Sequence, residues 1–227
     1  MGYAVEFPDR PMFFGMLTEI YFRRFYKLPD TDIRTIIDVG ANIGLATLYF
    51  KWLHPRASVL CFEPNPEVLG FLEKNISRNK LANVKVFPVA LGKLNGEQEL
   101  FTSAEVKGST SASTIPPINK ERSFRVPVRR LSDFIEKPVD FIKIDVEGAE
   151  GQILEDLEET GKLTLIRDMI IEYHMHDQNR GYSMARLLAL LEKNSFEYLC
   201  FPLFSDINWK PPKRMRQYLI YASRGSA

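Results

Sequence analysis

Apolar residues recur along this chain in two alternating rhythms. Short, β-branched apolar runs stand at Thr35 to Val39 (TIIDV), Ser58 to Phe62 (SVLCF), Val84 to Ala90 (VKVFPVA), Val139 to Val146 (VDFIKIDV) and Leu165 to Tyr173. Unbroken runs of this kind suit strands covered on both faces. Between them, apolar residues fall three and four apart: Leu45, Leu48, Tyr49 and Trp52; Val68, Leu69, Leu72 and Ile76; Ile153, Leu154 and Leu157; Met184, Leu187, Leu188 and Leu191. That spacing gives a helix one apolar face. His54-Pro55 closes the first of these helices, and Asn65-Pro66 opens the second as cap and first helical residue. Met12 to Leu28 carries a similar stripe and predicts a helix packed on the body of the domain.

Glu97 to Thr102 and Arg125 to Val128 read as short strands and Leu131 to Ile135 as a short helix. Phe196 to Phe201 and Tyr218 to Ser223 read as a terminal antiparallel hairpin. Strands alternating with helices imply a parallel sheet with right-handed crossovers. The expectation is one α/β domain over 1–227, a three-layer doubly wound sheet, with an N-terminal helical extension at 1–30. A Ser/Thr-rich surface insertion is expected at 103–124.

Composition narrows the partners. A chain of 227 residues can bury one substantial core. A formal charge of +1 exerts no long-range pull, so neither a nucleic-acid partner nor stable membrane insertion is expected. No apolar stretch reaches membrane-spanning length, and the N-terminus lacks a basic segment followed by an apolar run. Cys61 and Cys200, each in an apolar run, read as buried small hydrophobes rather than a disulfide or zinc pattern. A cytoplasmic setting is the resulting expectation; a homodimer is compatible with it.

The chemistry gathers at the strand ends. Thr35 to Gly44 (TIIDVGANIG) is a strand, a glycine-punctuated turn and the opening of a helix. In open α/β sheets ligands bind outside the carboxyl ends of strands. The order D-x-G-x-N-x-G places Asn42 where a dinucleotide fingerprint has its second glycine, and no P-loop lysine follows. Four strands end in acids: Asp38, Glu63, Asp145 with Glu147, and Glu172. An acid at the end of the second strand can accept both hydroxyls of an adenosine ribose. Asp38 and the backbone near Gly40 suit an ammonium, and the turn N–H groups suit a carboxylate. A ribose diol with those two charges describes S-adenosylmethionine.

DVGANIG, FEPNP, VALG, KIDVEGAE and IIEYH, in that order over about Ile36 to His174, resemble the FkbM family of S-adenosylmethionine-dependent methyltransferases. The resemblance implies the class I methyltransferase fold, with seven strands and the last antiparallel. It also implies O-methylation of small molecules such as sugars or polyketides. It places the cofactor on Asp38, Gly40, Ala41, Asn42 and Gly44, and the ribose on Glu63, with Pro64 and Asn65 shaping the turn. The adenine would lie near Ala90 and Leu91, and Asp145 and Glu147 would line the cleft near the reactive methyl. A hydroxyl acceptor must lose its proton, and His174, Glu172, Asp145 and Glu147 are the candidate bases, with His174 first. No metal is expected. The rival readings are a nicotinamide-dependent oxidoreductase, which needs the pyrophosphate turn this chain lacks, and a non-catalytic domain that keeps the fold as a binding surface.

Overall fold

Both rhythms take the expected form in the computed structural model, which describes residues 2–28, 32–102, 122–175, 182–203 and 216–225. Strands β1 (Thr35–Val39), β2 (Ser58–Phe62), β3 (Val84–Phe87), β7 (Val139–Ile144) and β8 (Ile166–Met175) are parallel members of one sheet. A terminal hairpin, β9 (Glu197–Pro202) and β10 (Arg216–Ser223), completes seven strands in the order β3-β2-β1-β7-β8-β10-β9. The last strand, β10, runs antiparallel to both neighbours. Helices α2 (Leu45–Leu53), α3 (Pro66–Arg78), α4 (Glu150–Glu159) and α5 (Met184–Lys193) cover the faces.

β1 sits inside the sheet and shows why its run is continuously apolar. Ile36 packs with Phe50 and Leu72 on the α2–α3 side, whereas Ile37 and Val39 pack with Ile153, Leu154 and Leu157 on the α4 side. Alternate residues of one strand thus feed two cores. The order reverses between β1 and β7, and this opens a crevice at their carboxyl ends.

Two departures from the sequence pattern have local causes. The run Val84 to Ala90 splits at Pro88, which has no N–H for the ladder. The Val89 N–H bonds back to the Phe87 carbonyl (2.9 Å). The chain then re-enters as β4 (Ala90–Leu91) in a second, three-stranded sheet with β5 (Gly96–Thr102) and β6 (Arg122–Arg129), in the order β4-β6-β5. The stripe at Met12 to Leu28 is not one helix either. α1 (Arg10–Leu17) widens into a single π turn, Thr18–Phe22, whose Thr18 carbonyl accepts the Arg23 N–H at 2.8 Å. The Thr18 hydroxyl bonds the Phe14 carbonyl (2.8 Å), which competes with the regular ladder.

Of the insertion expected at 103–124, residues 103–121 lie outside the described residues, and 122–124 begin β6. Cys61 is buried and Cys200 half-buried, both as free thiols. Among the described residues no helix is long and apolar enough to cross a membrane.

Candidate active site

The turn after β1 is shaped by a close approach. Gly40 is left-handed (φ 78°), and a Cβ there would stand 1.8 Å from the Asp145 carbonyl oxygen, so no other residue fits without moving β7. The Gly40 and Ala41 N–H groups both donate to the Phe62 carbonyl (2.9 and 3.0 Å), which locks the turn to the end of β2. Asn42 is left-handed without being glycine (φ 49°), a conformation Asn tolerates better than most residues. From the far side, the Asn75 amide of α3 donates to the Ile43 carbonyl (2.8 Å).

Glu63 meets this turn directly. One carboxylate oxygen accepts the Asn42 N–H and the other the Asn65 N–H, each at 2.8 Å. The side chain is thus held rigid, with lone pairs to spare on both oxygens. Burial pushes its pKa up to about 7, while the two N–H bonds pull the other way. A carboxylate in the middle of the turn also opposes a pyrophosphate there. The nearby Asn65 Nδ2 is buried and has no hydrogen-bond partner among the described residues.

The ends of β7 and β8 carry a buried charge cluster. Lys143 lies 3.2 Å from Asp145 and 3.5 Å from Asp38, and donates to the Gly40 carbonyl at 2.7 Å. Burial works against its charge, but Asp145, Asp38 and Glu172 outweigh this and hold its pKa above the ordinary lysine value. Glu172 is pushed up to about 8, by burial first and by the Asp145 charge next. Glu147 is pushed up to about 7, again chiefly by burial. Tyr26, from the N-terminal segment, donates to Glu172 (3.2 Å) and Asp145 (3.4 Å), and its ring lies under Lys143, 5.4 Å from the ammonium.

These groups border a cleft with about 1290 Å³ of space between atoms, part of it open to solvent. The sequence-expected residues Gly40, Ala41, Asn42, Glu63, Pro64, Asn65, Ala90, Leu91, Asp145, Glu147 and Glu172 all line it. Three others do not. Asp38 is fully buried beneath the turn, where it accepts the Thr47 hydroxyl (2.6 Å) and faces Lys143, so direct contact with a ligand ammonium is not what the structure provides. Gly44, also left-handed, opens α2 against Leu72.

His174 is the third, and it changes the ranking of the candidate bases. It is fully buried and bonds Glu150 through Nδ1 (2.8 Å). Burial would lower its pKa, but Glu150 and Glu147 overcome that and hold it at about 10. An imidazolium already carrying its proton, outside the cleft wall, is a poor base. Glu172, by contrast, lines the cleft, and burial and the Asp145 charge raise its pKa to about 8, so it is the candidate able to take up a proton there. Tyr26 and Lys143 had no assigned role in the sequence reading. The signal for Lys143 was a lysine inside an apolar strand run; Tyr26 gave none.

Asp145, Glu172 and His174 bring donor atoms within 4.8 Å of one another, a spacing a divalent cation can use. Two of these groups already have partners: Lys143 supplies a cation to Asp145 at 3.2 Å, and Glu150 engages His174 Nδ1 at 2.8 Å.

Comparison with known proteins follows the same lines. A family model described as "Methyltransferase FkbM domain" matches residues 38–198. "Methyltransferase 1" of Beauveria bassiana is 28% identical, over 91% of this chain and 88% of its own. "2-O-methyltransferase NoeI" of Sinorhizobium fredii is 28% identical, over 75% of this chain and 74% of its own. The crystal structure of methyltransferase FkbM from Methylobacillus flagellatus superposes with a TM-score of 0.55 at 18% identity, over 93% of this chain and 50% of that one, a likeness of fold.

Proposed function

Because the chain belongs to the methyltransferase FkbM domain family, we propose that it methylates a hydroxyl oxygen of a small molecule, such as a sugar or polyketide-type metabolite, with S-adenosylmethionine as donor. The observation that carries this reading is the convergence of Glu63, Asp145, Glu147 and Glu172 on one cleft beside the Gly40 turn. When bound, S-adenosylmethionine supplies a methyl group already activated on a positively charged sulfur.

The residues fit that group. Glu63, pinned by two backbone N–H bonds, keeps a lone pair on each oxygen for the two ribose hydroxyls. Ala90 and Leu91 offer apolar surface for the base, and Asn65 Nδ2 offers a free donor among the described residues. Burial is the main cause of the raised pKa values of Glu63 and Glu147, and a cationic ligand beside them would favour their ionised forms. Asp38 acts at one remove, through Lys143, which ties the Gly40 carbonyl to Asp145.

Holding donor and acceptor in line can supply roughly 7–11 kcal/mol of the barrier. Glu172 then takes the acceptor hydroxyl proton as the oxygen forms its new bond. The "2-O-methyltransferase" name of the Sinorhizobium fredii relative supports oxygen as the target. Methyl transfer is tested by following S-adenosylhomocysteine release from S-adenosylmethionine across a panel of hydroxyl-bearing small molecules. Glu172→Gln is expected to cut kcat by about 10²–10⁴-fold with donor affinity unchanged. A base raised to about 8 is ionised only above that pH, so wild-type rate should rise as pH climbs through it. An unchanged kcat in Glu172→Gln would remove Glu172 from the base role.

A further inference from the structure

The N-terminal segment forms one wall of the cleft, and no family motif contains it. Met16, Glu19, Ile20 and Tyr26 all line the space that Asp145, Glu147 and Glu172 face. The π turn Thr18–Phe22 carries this placement. An extra residue in one helical turn reorients the side chains that follow, and such turns are frequent at functional sites. Ile20 is buried in the core shared with α2, while neighbouring Glu19 is half-buried at the cleft. The segment is pinned in place: the Tyr221 hydroxyl of β10 donates to the Phe25 carbonyl (2.7 Å), and the Tyr21 hydroxyl to the Leu45 carbonyl (3.4 Å).

The Glu19 carboxylate, unlike its backbone carbonyl, which accepts the Phe25 N–H at 3.0 Å, carries no hydrogen bond or ion pair with the described residues. It lies near enough to Asp145 for the two charges to repel, and Arg23 offsets this only in part. A half-buried carboxylate with unused acceptor capacity, facing a cleft, is equipped to receive a hydrogen bond from whatever enters.

We propose that residues 16–26 form the acceptor wall of the active site, and that Glu19 accepts a hydrogen bond from a hydroxyl or ammonium group of a neutral or cationic acceptor. This rests on the methyltransferase reading of the same cleft. Charge decides the class. An anionic acceptor would be desolvated beside Glu19, Asp145, Glu147 and Glu172. The cation that the described residues place in the cleft, Lys143, is already engaged by Asp145, Asp38 and the Gly40 carbonyl. The like charge of Asp145 and Glu19 opposes an anionic acceptor, and that of Glu147 and Glu172 adds to this as they ionise. A neutral polyol instead offers a hydroxyl donor to the Glu19 carboxylate, which accepts none from the described residues.

The test uses the full chain with S-adenosylhomocysteine bound, titrated with methyl glucoside, glucosamine and glucuronate. S-adenosylhomocysteine affinity is measured first for wild type, Glu19→Gln and Glu19→Lys. Wild type should prefer methyl glucoside and glucosamine over glucuronate by roughly tenfold or more. Glu19→Gln should weaken glucosamine most, and Glu19→Lys should shift the preference toward glucuronate by a similar factor. Donor-product affinity should hold in both variants, which shows that they fold. Three outcomes would overturn the acceptor wall: glucuronate binding wild type as tightly as methyl glucoside, an unchanged ratio in Glu19→Lys, or binding of neither neutral nor amino sugar. Failure of wild type to bind S-adenosylhomocysteine at all would sink the methyltransferase reading itself, and the wall with it.

Discussion

The two ends of the cleft are built by different means. At the donor end, backbone fixes everything: Gly40 tucks against the Asp145 carbonyl, two turn N–H groups share the Phe62 carbonyl, and Glu63 is held by two more. At the acceptor end, side chains hold one another: Tyr26 bridges Glu172 and Asp145, and Lys143 stands among Asp38, Asp145 and the Gly40 carbonyl. The first arrangement joins two short motifs, DVGAN and FEPN, and the Asp145 carbonyl. The second joins residues separated by up to 146 positions. On the proposed function, the first is a fixed grip on a constant donor and the second a charge-rich wall for a variable acceptor.

Lys143 is where the two ends meet, so removing it should have the largest effect. Lys143→Met leaves buried Asp38 and half-buried Asp145 without their cation. Breaking one partner of a buried pair costs about 3–5 kcal/mol, which a urea melt would read as a marked fall in midpoint. Little change in midpoint would mean that the carboxylates are already protonated, and that the cluster does not couple the turn to β7. Lys143→Arg, which keeps the charge, should recover much of the loss.

A smaller effect separates the ends from each other. Tyr26→Phe removes the hydroxyl that Glu172 and Asp145 share, through bonds of 3.2 and 3.4 Å. Bonds that long place the change near 1 kcal/mol or below, about fivefold or less in rate. The direction in pH is more telling. A hydroxyl donating to a carboxylate favours the ionised form, so its loss raises the Glu172 pKa further, and the rising limb of the pH–rate profile should move to higher pH. Affinity for S-adenosylhomocysteine should stay put. A shift in donor affinity with a fixed pH limb would move Tyr26 to the donor end.

The donor end was legible in the sequence for a physical reason. Strand runs, glycine turns and strand-end acids show in short stretches of sequence, so the Gly40 turn with Asn42 and the acid Glu63 stood out from spacing, and the family resemblance added Asn65. The parallel sheet followed from the strand–helix alternation, and its seven strands with an antiparallel last one from the family likeness. Other placements depended on contacts that spacing does not encode. Asp38 sits in the motif yet faces inward, because its β1 position is paired against Lys143 of β7. His174 was placed first among the bases by residue type, but Glu150 at the start of α4 claims its Nδ1. Tyr26 reaches Glu172 only after the π turn and the left-handed Arg24 redirect the chain. No periodicity marks such a path.

The central claim is that Glu63, held by the Asn42 and Asn65 N–H groups, grips the donor's ribose. It is tested most directly by calorimetric titration of S-adenosylhomocysteine into wild type and Glu63→Ala above neutral pH, where this carboxylate is ionised. Wild type should bind at micromolar levels. The variant should bind roughly 10- to 100-fold more weakly, the loss expected for a charge-assisted hydrogen bond of about 1.5–3 kcal/mol, while its melting midpoint shows it folded. Equal affinity in the two proteins would contradict the claim.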